Sequence, residues 1–282
     1  DPVGAYGREE VHIKQFANWG LDFIKVDRCK MDTVTKEGHR GWTPEVLQAT
    51  YRKWSELLGT CGRDIVFSIS AYRFNDWYPA ICNMARTTGD MPARYTRGAI
   101  FDNNKKGGKL SVMKIADINN QSAAFAGNGY WNDPDIMSLG EQGLTLDEQK
   151  SHFALWCIMS APLMLGNDPR NMTVEEKAMI TNKECIAVNQ DPKEQGKRVI
   201  KADAKEVWVK NLTDGSKAVF VLNRGEETKT LSFGLSEIGI NGKAVVRDLY
   251  QKKELKSFVA ADGTVSYELK PHACLFLRIS SK

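Results

Sequence analysis

Three acidic clusters stand where apolar runs of this sequence end. The first closes Leu21-Asp22-Phe23-Ile24-Lys25-Val26-Asp27. Lys25 and Asp27 are two residues apart, so on a strand both face one side, opposite Ile24 and Val26. An ammonium beside Asp27 favours the ionised form that a nucleophile needs. The same pair would serve as a buried salt bridge, or Asp27 as a cap on the following loop. The second cluster is Arg86-Thr87-Thr88-Gly89-Asp90. Its Asp90 is a candidate proton donor, and the planar fork of Arg86 could hold a sugar hydroxyl or orient a carboxylate. Spacing alone fits a capped surface turn as well. The third, Gly129-Tyr130-Trp131-Asn132-Asp133-Pro134-Asp135-Ile136-Met137, crowds an aromatic, an amide and two carboxylates together. Trp131 offers a sugar-stacking face and Asp135 a group to bind hydroxyls. Two carboxylates in separate environments are what glycoside hydrolysis uses: one attacks or activates water, and the other protonates the departing oxygen.

These clusters need a scaffold, and the first 200 or so residues alternate helical and strand patterns. Residues 8–19 place Ile13, Phe16 and Ala17 on one helical face, with Gly20 as the stop. Thr43-Pro44 is a good N-cap and first helical position; Leu47, Tyr51, Trp54 and Leu58 mark the buried face beyond it. Thr145-Leu-Asp-Glu148 and Thr173-Val-Glu-Glu176 have the form of capping boxes. Candidate buried strands lie at 21–27, 65–70, 85–88, near 131–134 and at 160–165. Such alternation predicts a mainly parallel sheet covered by helices, with catalytic groups at the C-terminal rim of its strands. After about residue 198 short alternating stretches follow at 207–210, 218–222, 229–233, 243–249, 264–269 and 274–278. Asp214-Gly215, Asn241-Gly242 and Asp262-Gly263 punctuate them, which predicts an antiparallel β-sandwich. The expected division is 1–197 for the catalytic α/β portion and 198–282 for the sandwich, joined by Asn189 to Lys197.

Composition narrows the functions. A net charge of +4 without a long basic block disfavours nucleic acid, and no run of about 18 apolar residues predicts a membrane span. The six cysteines and four histidines show no CxxC or HExxH, and the third cluster lacks the spacing of an EF-hand loop. No metal and no cofactor are therefore expected. Cysteines such as Cys157 and Cys274 lie in apolar runs and read as buried free thiols.

Taken together, Asp22-Phe23-Ile24-Lys25-Val26-Asp27-Arg28-Cys29, Arg86-Thr87-Thr88-Gly89-Asp90 and Trp131-Asn132-Asp133-Pro134-Asp135 closely resemble glycoside hydrolase family twenty-seven. That family holds α-galactosidases, α-N-acetylgalactosaminidases and a few relatives. Ser160-Ala161-Pro162-Leu163-Met164-Leu165-Gly166-Asn167-Asp168 and Ala187-Val188-Asn189-Gln190-Asp191-Pro192 look like its later motifs, so the resemblance runs in order through residues 6–192. It implies a (β/α)₈ TIM barrel followed by a β-sandwich, and hydrolysis of terminal α-D-galactosyl groups with retention. Asp27 matches the nucleophile and Asp90 the acid/base; Lys25 and Arg86 match sugar-contacting residues, and Asp135 lies beside the pocket. Retention implies carboxyl groups roughly 5–5.5 Å apart. The family's barrel begins with three strands that do not precede Lys25 here, so the resemblance also implies a missing N-terminal part as a partner of this chain. The expected ligand is a galactose-containing glycan, and family analogy favours a secreted or periplasmic setting.

One departure bears on specificity. A Glu-Trp pair usually stands in α-galactosidases where Ser70-Ala71 falls, and that Glu binds the second hydroxyl of the sugar. The α-N-acetylgalactosaminidases have serine there, leaving room for an acetamide, but Arg73 follows neither pattern. β-L-Arabinopyranosidase is a further activity of the family. Two readings of other classes compete. Lys25 could form a Schiff base in a lyase or aldolase, although Asp27 on its own face opposes the low pKa that this requires. A carbohydrate-binding protein without turnover would keep the fold, but both carboxylate motifs are intact.

Overall fold

The computed structural model describes residues 5, 7–28, 43–92, 100–102, 110–127, 129–140, 143–256 and 258–281. Cys29, His39 and Tyr6, where the family resemblance starts, lie outside the described residues.

Helix α1 (Glu9–Asn18) leads into strand β1 (Phe23–Asp27), and α2 (Pro44–Gly59) into β2 (Val66–Ser70). The Oγ1 of Thr43 accepts from the N–H of Val46 at 3.3 Å, so the Thr-Pro start caps α2 as its sequence requires. Strand β3 (Met84–Arg86), α3 (Val112–Asn119) and β4 (Trp131–Asp133) follow. The four strands form one parallel sheet in the order β1-β2-β3-β4. Ile24, Val26, Phe67, Ile69 and Ala85 turn to one side, where Leu47, Tyr51, Trp54 and Leu58 of α2 pack on them. Burying that face leaves the alternate side chains to face the concave side.

The strand expected at 160–165 is not one. A single parallel bridge, Met137 to Leu165, stands there, held by the Met137 N–H on Met164 O and the Gly166 N–H on Met137 O. The cause lies just upstream. Asp135 adopts φ 84 and turns the chain out of the strand direction, and Ser160 adopts φ 52. A ladder cannot run through either turn.

Helix α4 (Leu146–Ile158) is buried on every side from Ser151 onward, including Trp156, Cys157 and the polar His152. Its capping box is complete: the Thr145 Oγ1 accepts from Glu148 N–H, and the Glu148 carboxylate accepts from Thr145 N–H. A helix without a polar face must lie between two layers. Helices α5 (Val174–Ile180) and α6 (Lys183–Gln190) complete this part.

The second layer consists of β5 (Lys197–Ala202), β6 (Lys205–Asn211), β7 (Lys217–Asn223), β8 (Lys229–Gly234), β9 (Ala244–Asp248), β10 (Lys253–Glu254), β11 (Thr264–Leu269) and β12 (Cys274–Ser281). Six of them form a sheet in the order β10-β9-β12-β7-β6-β5, faced by the pair β11-β8. Val207, Val209, Val219, Val221, Leu275 and Leu277 pack against Leu231, Phe233, Val265 and Leu269 of the small sheet. Trp208, Phe220, Leu222 and Phe276 point the other way and join the core around α4. The central strands are thus buried on both faces rather than on alternate residues, because the barrel portion covers the face a free-standing sandwich would expose. Strand β5 overlaps the expected linker only at Lys197 and continues through Ala202, where no strand is expected from the sequence.

Polar groups reinforce this junction. Lys210 is fully buried, and its Nζ donates to Ser160 Oγ at 2.6 Å, Val188 O at 2.6 Å and Asp191 O at 2.8 Å. Burial pulls its pKa down to about 8, while its three donors are all matched by acceptors. His272 bridges Glu148 of α4, at 2.8 Å from Nδ1, and Glu226, at 3.3 Å from Nε2; its ring stacks on Phe101, and its carbonyl accepts from Ser151. The bond to Glu148 raises the His272 pKa against burial. Burial works to raise the Glu148 pKa, but its bonds to His272 and Thr145 lower it overall. The histidine contribution is full below its ordinary value of 6.5 and fades as pH rises through the folded value. The glutamate contribution is full above 4.5 and fades as pH falls through its own folded value. His272→Gln should therefore destabilise the protein most between 4.5 and 6.5, and progressively less as pH rises through the folded value of His272, measured by denaturant unfolding across pH.

Among the described residues Cys61, Cys82, Cys157, Cys185 and Cys274 are free, and no helix is long and apolar enough to cross a membrane.

Candidate active site

Strand register builds the site. Lys25, Ser68, Met84 and Trp131 pair across the sheet as one row. Two residues further along each strand come Asp27 opposite Ser70 and Arg86 opposite Asp133, a second row at the C-terminal rim. Period-two alternation sends both rows to the concave face, opposite the side that α2 covers. Six of the seven expected site residues, all but Asp90, lie on or just beyond these two rows. Trp131 is half-buried in the lower row, beneath the rim carboxylates.

The polar contacts form a connected chain. Tyr72 Oη lies 2.7 Å from Asp27 Oδ1 and 2.9 Å from Oδ2, and Ser70 Oγ lies 3.4 Å from Oδ2. Lys25 reaches up from the lower row to Asp133 Oδ2 at 3.3 Å. Arg86, only 3% exposed, places Nη2 at 3.0 Å from Asp135 Oδ2 and 3.2 Å from Asp90 Oδ1, and its Cζ stands 5.9 Å from the Tyr72 ring centre. Asp27 therefore connects through Tyr72 and Arg86 to Asp90.

Asp135, just beyond the rim row, holds this arrangement in place. Its Oδ2 accepts from Met91 N–H at 2.7 Å, immediately after Asp90, and its own N–H donates to Asp133 Oδ1 at 2.8 Å. Trp156 of α4 donates its Nε1–H to the Asp135 carbonyl at 2.8 Å. Burial lifts the Asp135 pKa above the usual aspartate value, opposed by the Arg86 guanidinium and the Met91 N–H. Asp90 itself stands open to solvent, with its side chain 75% exposed. The sheet thus presents one buried arginine between a buried and an open carboxylate, with a second open carboxylate across Tyr72.

Two contributors escaped the sequence reading. Asp133 had a signal, since it precedes Asp135 by two and the strand ends between them. Tyr72 had none: it follows the end of β2 at φ 64, a conformation that alternation rules do not anticipate. No group of three or more His, Cys, Asp or Glu among the described residues is arranged to hold a metal ion. An open groove of about 820 Å³ lies at the opposite end of the strands, lined by residues such as Arg63, Asp64, Pro79 and Asn83. None of the candidate site residues reaches it.

Residues 2–191 match the family model described as "Alpha galactosidase A", and residues 202–279 match that described as "Alpha galactosidase C-terminal beta sandwich domain". The chain belongs to the alpha-galactosidase family. It is 37% identical to alpha-galactosidase 2 of Arabidopsis thaliana over 277 residues, which is 96% of this chain and 63% of that protein. It is 35% identical to alpha-galactosidase of Cyamopsis tetragonoloba, over 96% of this chain and 61% of that one. The crystal structure of alpha-galactosidase I from Mortierella vinacea superposes with a TM-score of 0.85 at 26% identity, covering 99% of this chain and 73% of the other. A β-L-arabinopyranosidase from Geobacillus stearothermophilus shares the fold, with a TM-score of 0.79 at 23% identity, over 99% of this chain and 62% of the other. The chain spans less than two thirds of the length of the curated relatives it matches. Membership in the alpha-galactosidase family carries the TIM-barrel class of the first domain and the sandwich class of the second; the parallel and antiparallel sheets described above are their parts here.

Proposed function

We propose that this chain carries both catalytic carboxylates of a retaining glycoside hydrolase that removes terminal α-D-galactosyl residues from galactose-containing oligosaccharides. The observation that supports it most is the contact chain Asp27–Tyr72–Arg86–Asp90, which gathers two carboxylates of different surroundings at one rim. In this reading Asp27 attacks the anomeric carbon and forms a glycosyl ester, while Asp90 gives its proton to the leaving oxygen. Asp90 then takes a proton from water as the ester is cleaved. Lys25, Ser70, Arg86 and Trp131 line the concave face where the sugar would sit, and Asp135 serves it by fixing Arg86 and the loop that bears Asp90. Its relatives named alpha-galactosidases support the substrate class, and the structure of an alpha-galactosidase of Saccharomyces cerevisiae with the same fold is known with raffinose.

The test is hydrolysis of p-nitrophenyl glycosides by the complete natural polypeptide, with the first-formed product anomer read by NMR. An α-galactoside should be cleaved with retention; release of the β-anomer first would overturn the mechanism. Ser70, small and level with Asp27, favours a second reading in which the pocket takes an α-N-acetylgalactosaminide, and that glycoside belongs in the same panel. Asp90→Ala should cost about 10²–10⁴-fold in kcat/KM on an alkyl galactoside. It should cost far less in the glycosylation of a substrate whose leaving group needs no proton, a comparison that stopped-flow assays can make.

A further inference from the structure

The contact of Tyr72 with both oxygens of Asp27 is closer than any other polar contact to that carboxylate among the described residues. It comes from a residue in the left-handed region, where a bulky side chain is strained, so the local structure must hold it there. The ring is flanked by two cations: Arg28 Cζ stands 5.2 Å and Arg86 Cζ 5.9 Å from its centre. Cations over the ring draw on its electron density and strengthen the hydroxyl as a donor. The phenol has one hydrogen, so it serves one carboxylate oxygen at a time. Whichever oxygen attacks, the other keeps a donor.

From this geometry we propose that Tyr72 is a positioning residue that assists Asp27 chiefly as a leaving group, in the second half of the reaction. The inference rests on the reading of Asp27 as nucleophile. In the first half-reaction the bond from the anomeric carbon to the aglycone oxygen breaks, and the bond to an Asp27 oxygen forms. The departing oxygen takes the Asp90 proton. In the second, a water oxygen bonds to the anomeric carbon as the Asp27 ester bond breaks, the electron pair returns to Asp27, and the water proton passes to Asp90. Charge then reappears on the carboxylate that Tyr72 faces. The hydroxyl keeps its proton throughout and stabilises that returning charge. A donor on either oxygen of a carboxylate draws charge away from the oxygen that attacks and so does not assist the attack; the same bond helps when the carboxylate must leave.

The experiment uses the complete natural polypeptide, Tyr72→Phe, and an aryl α-galactoside with a good leaving group. The expected result is a fall of at least about tenfold in both kcat and KM, leaving kcat/KM nearly unchanged. A burst of one equivalent of aryl alcohol should precede the steady state, and intact-mass spectrometry should find the protein carrying one glycosyl unit. Mere loosening of the fold would lower kcat/KM and produce no burst. A fall in kcat/KM with KM unchanged, or a variant with wild-type kcat and no burst, overturns the proposal. Asp27→Asn run alongside separates the two readings. If that variant keeps full activity, the nucleophile assignment fails; if it is inactive while Tyr72→Phe shows no accumulation, only the role of Tyr72 fails.

Discussion

Replacing Asp27 with asparagine should reduce kcat/KM on an α-galactoside by roughly 10⁴-fold or more, the scale on which loss of a covalent nucleophile acts. The amide is nearly isosteric and can still accept from Tyr72, so the fold and the melting temperature should change little. In the proposed mechanism, what is lost is the oxygen that bonds to the anomeric carbon. Substrate binding should survive, because the other concave-face groups, Lys25, Ser70, Arg86 and Trp131, are untouched. Isothermal titration with galactose against the variant checks this. A variant with full turnover would remove Asp27 from the chemistry, whatever its position at the rim.

The largest effect on stability should come from Arg224→Ala. Arg224 and Arg198 meet three carboxylates at the junction of the two domains: Asp102 before α3, Asp117 within it and Glu206 of β6. Arg224 Nη1 lies 2.8 Å from Glu206 Oε1 and 3.0 Å from Asp117 Oδ2. Glu206 is completely buried and the Arg224 side chain is 13% exposed, so little water is at hand to replace a lost partner. Burial works against the charge of Arg224, but its bonds to Asp102 and Glu206 outweigh that and raise its pKa. The same network holds Asp117 below the usual aspartate value even though burial alone would raise it. Removing one member of a buried ionic cluster typically costs about 3–5 kcal/mol, chiefly because the remaining charges are stranded. Urea unfolding at neutral pH should show a loss of that order. The loss should shrink as pH falls through the folded value of Asp117, where protonation removes part of the negative charge that Arg198 would face alone.

The concave face was legible from spacing, and the reason is mechanical. Once Lys25 and Asp27 are placed on a strand, a period of two fixes their shared side, and the register with Ser70, Arg86 and Asp133 follows from parallel pairing. The start of helix α2 could be placed from Thr43-Pro44, because the cap and the ring act locally. The rest depended on contacts distant in sequence. Residues 160–165 have the apolar composition of a strand, yet the turn at Asp135 denies them a partner ladder. Strand β5 is ragged in sequence, and its pairing with β6 breaks register between Arg198 and Ile200, a bulge that no alternation count predicts. Tyr72 reaches Asp27 through a backbone conformation that is set by its surroundings. Nothing in the spacing of Arg198, Arg224 and Lys210 marks them for burial, which comes from contacts distant in sequence.

The all-buried helix α4 has a consequence for how this sequence can change. Phe153, Trp156 and Cys157 share one core with Trp208, Phe220 and Phe276 across the domain junction. The sandwich is therefore no detachable module that recombination could exchange at will. A sequence drifting in one half must be answered by compensating volume in the other, and Trp156 also donates to the carbonyl of the residue that steadies Arg86. Through that indole, the packing of the second domain is tied to the arginine of the candidate site.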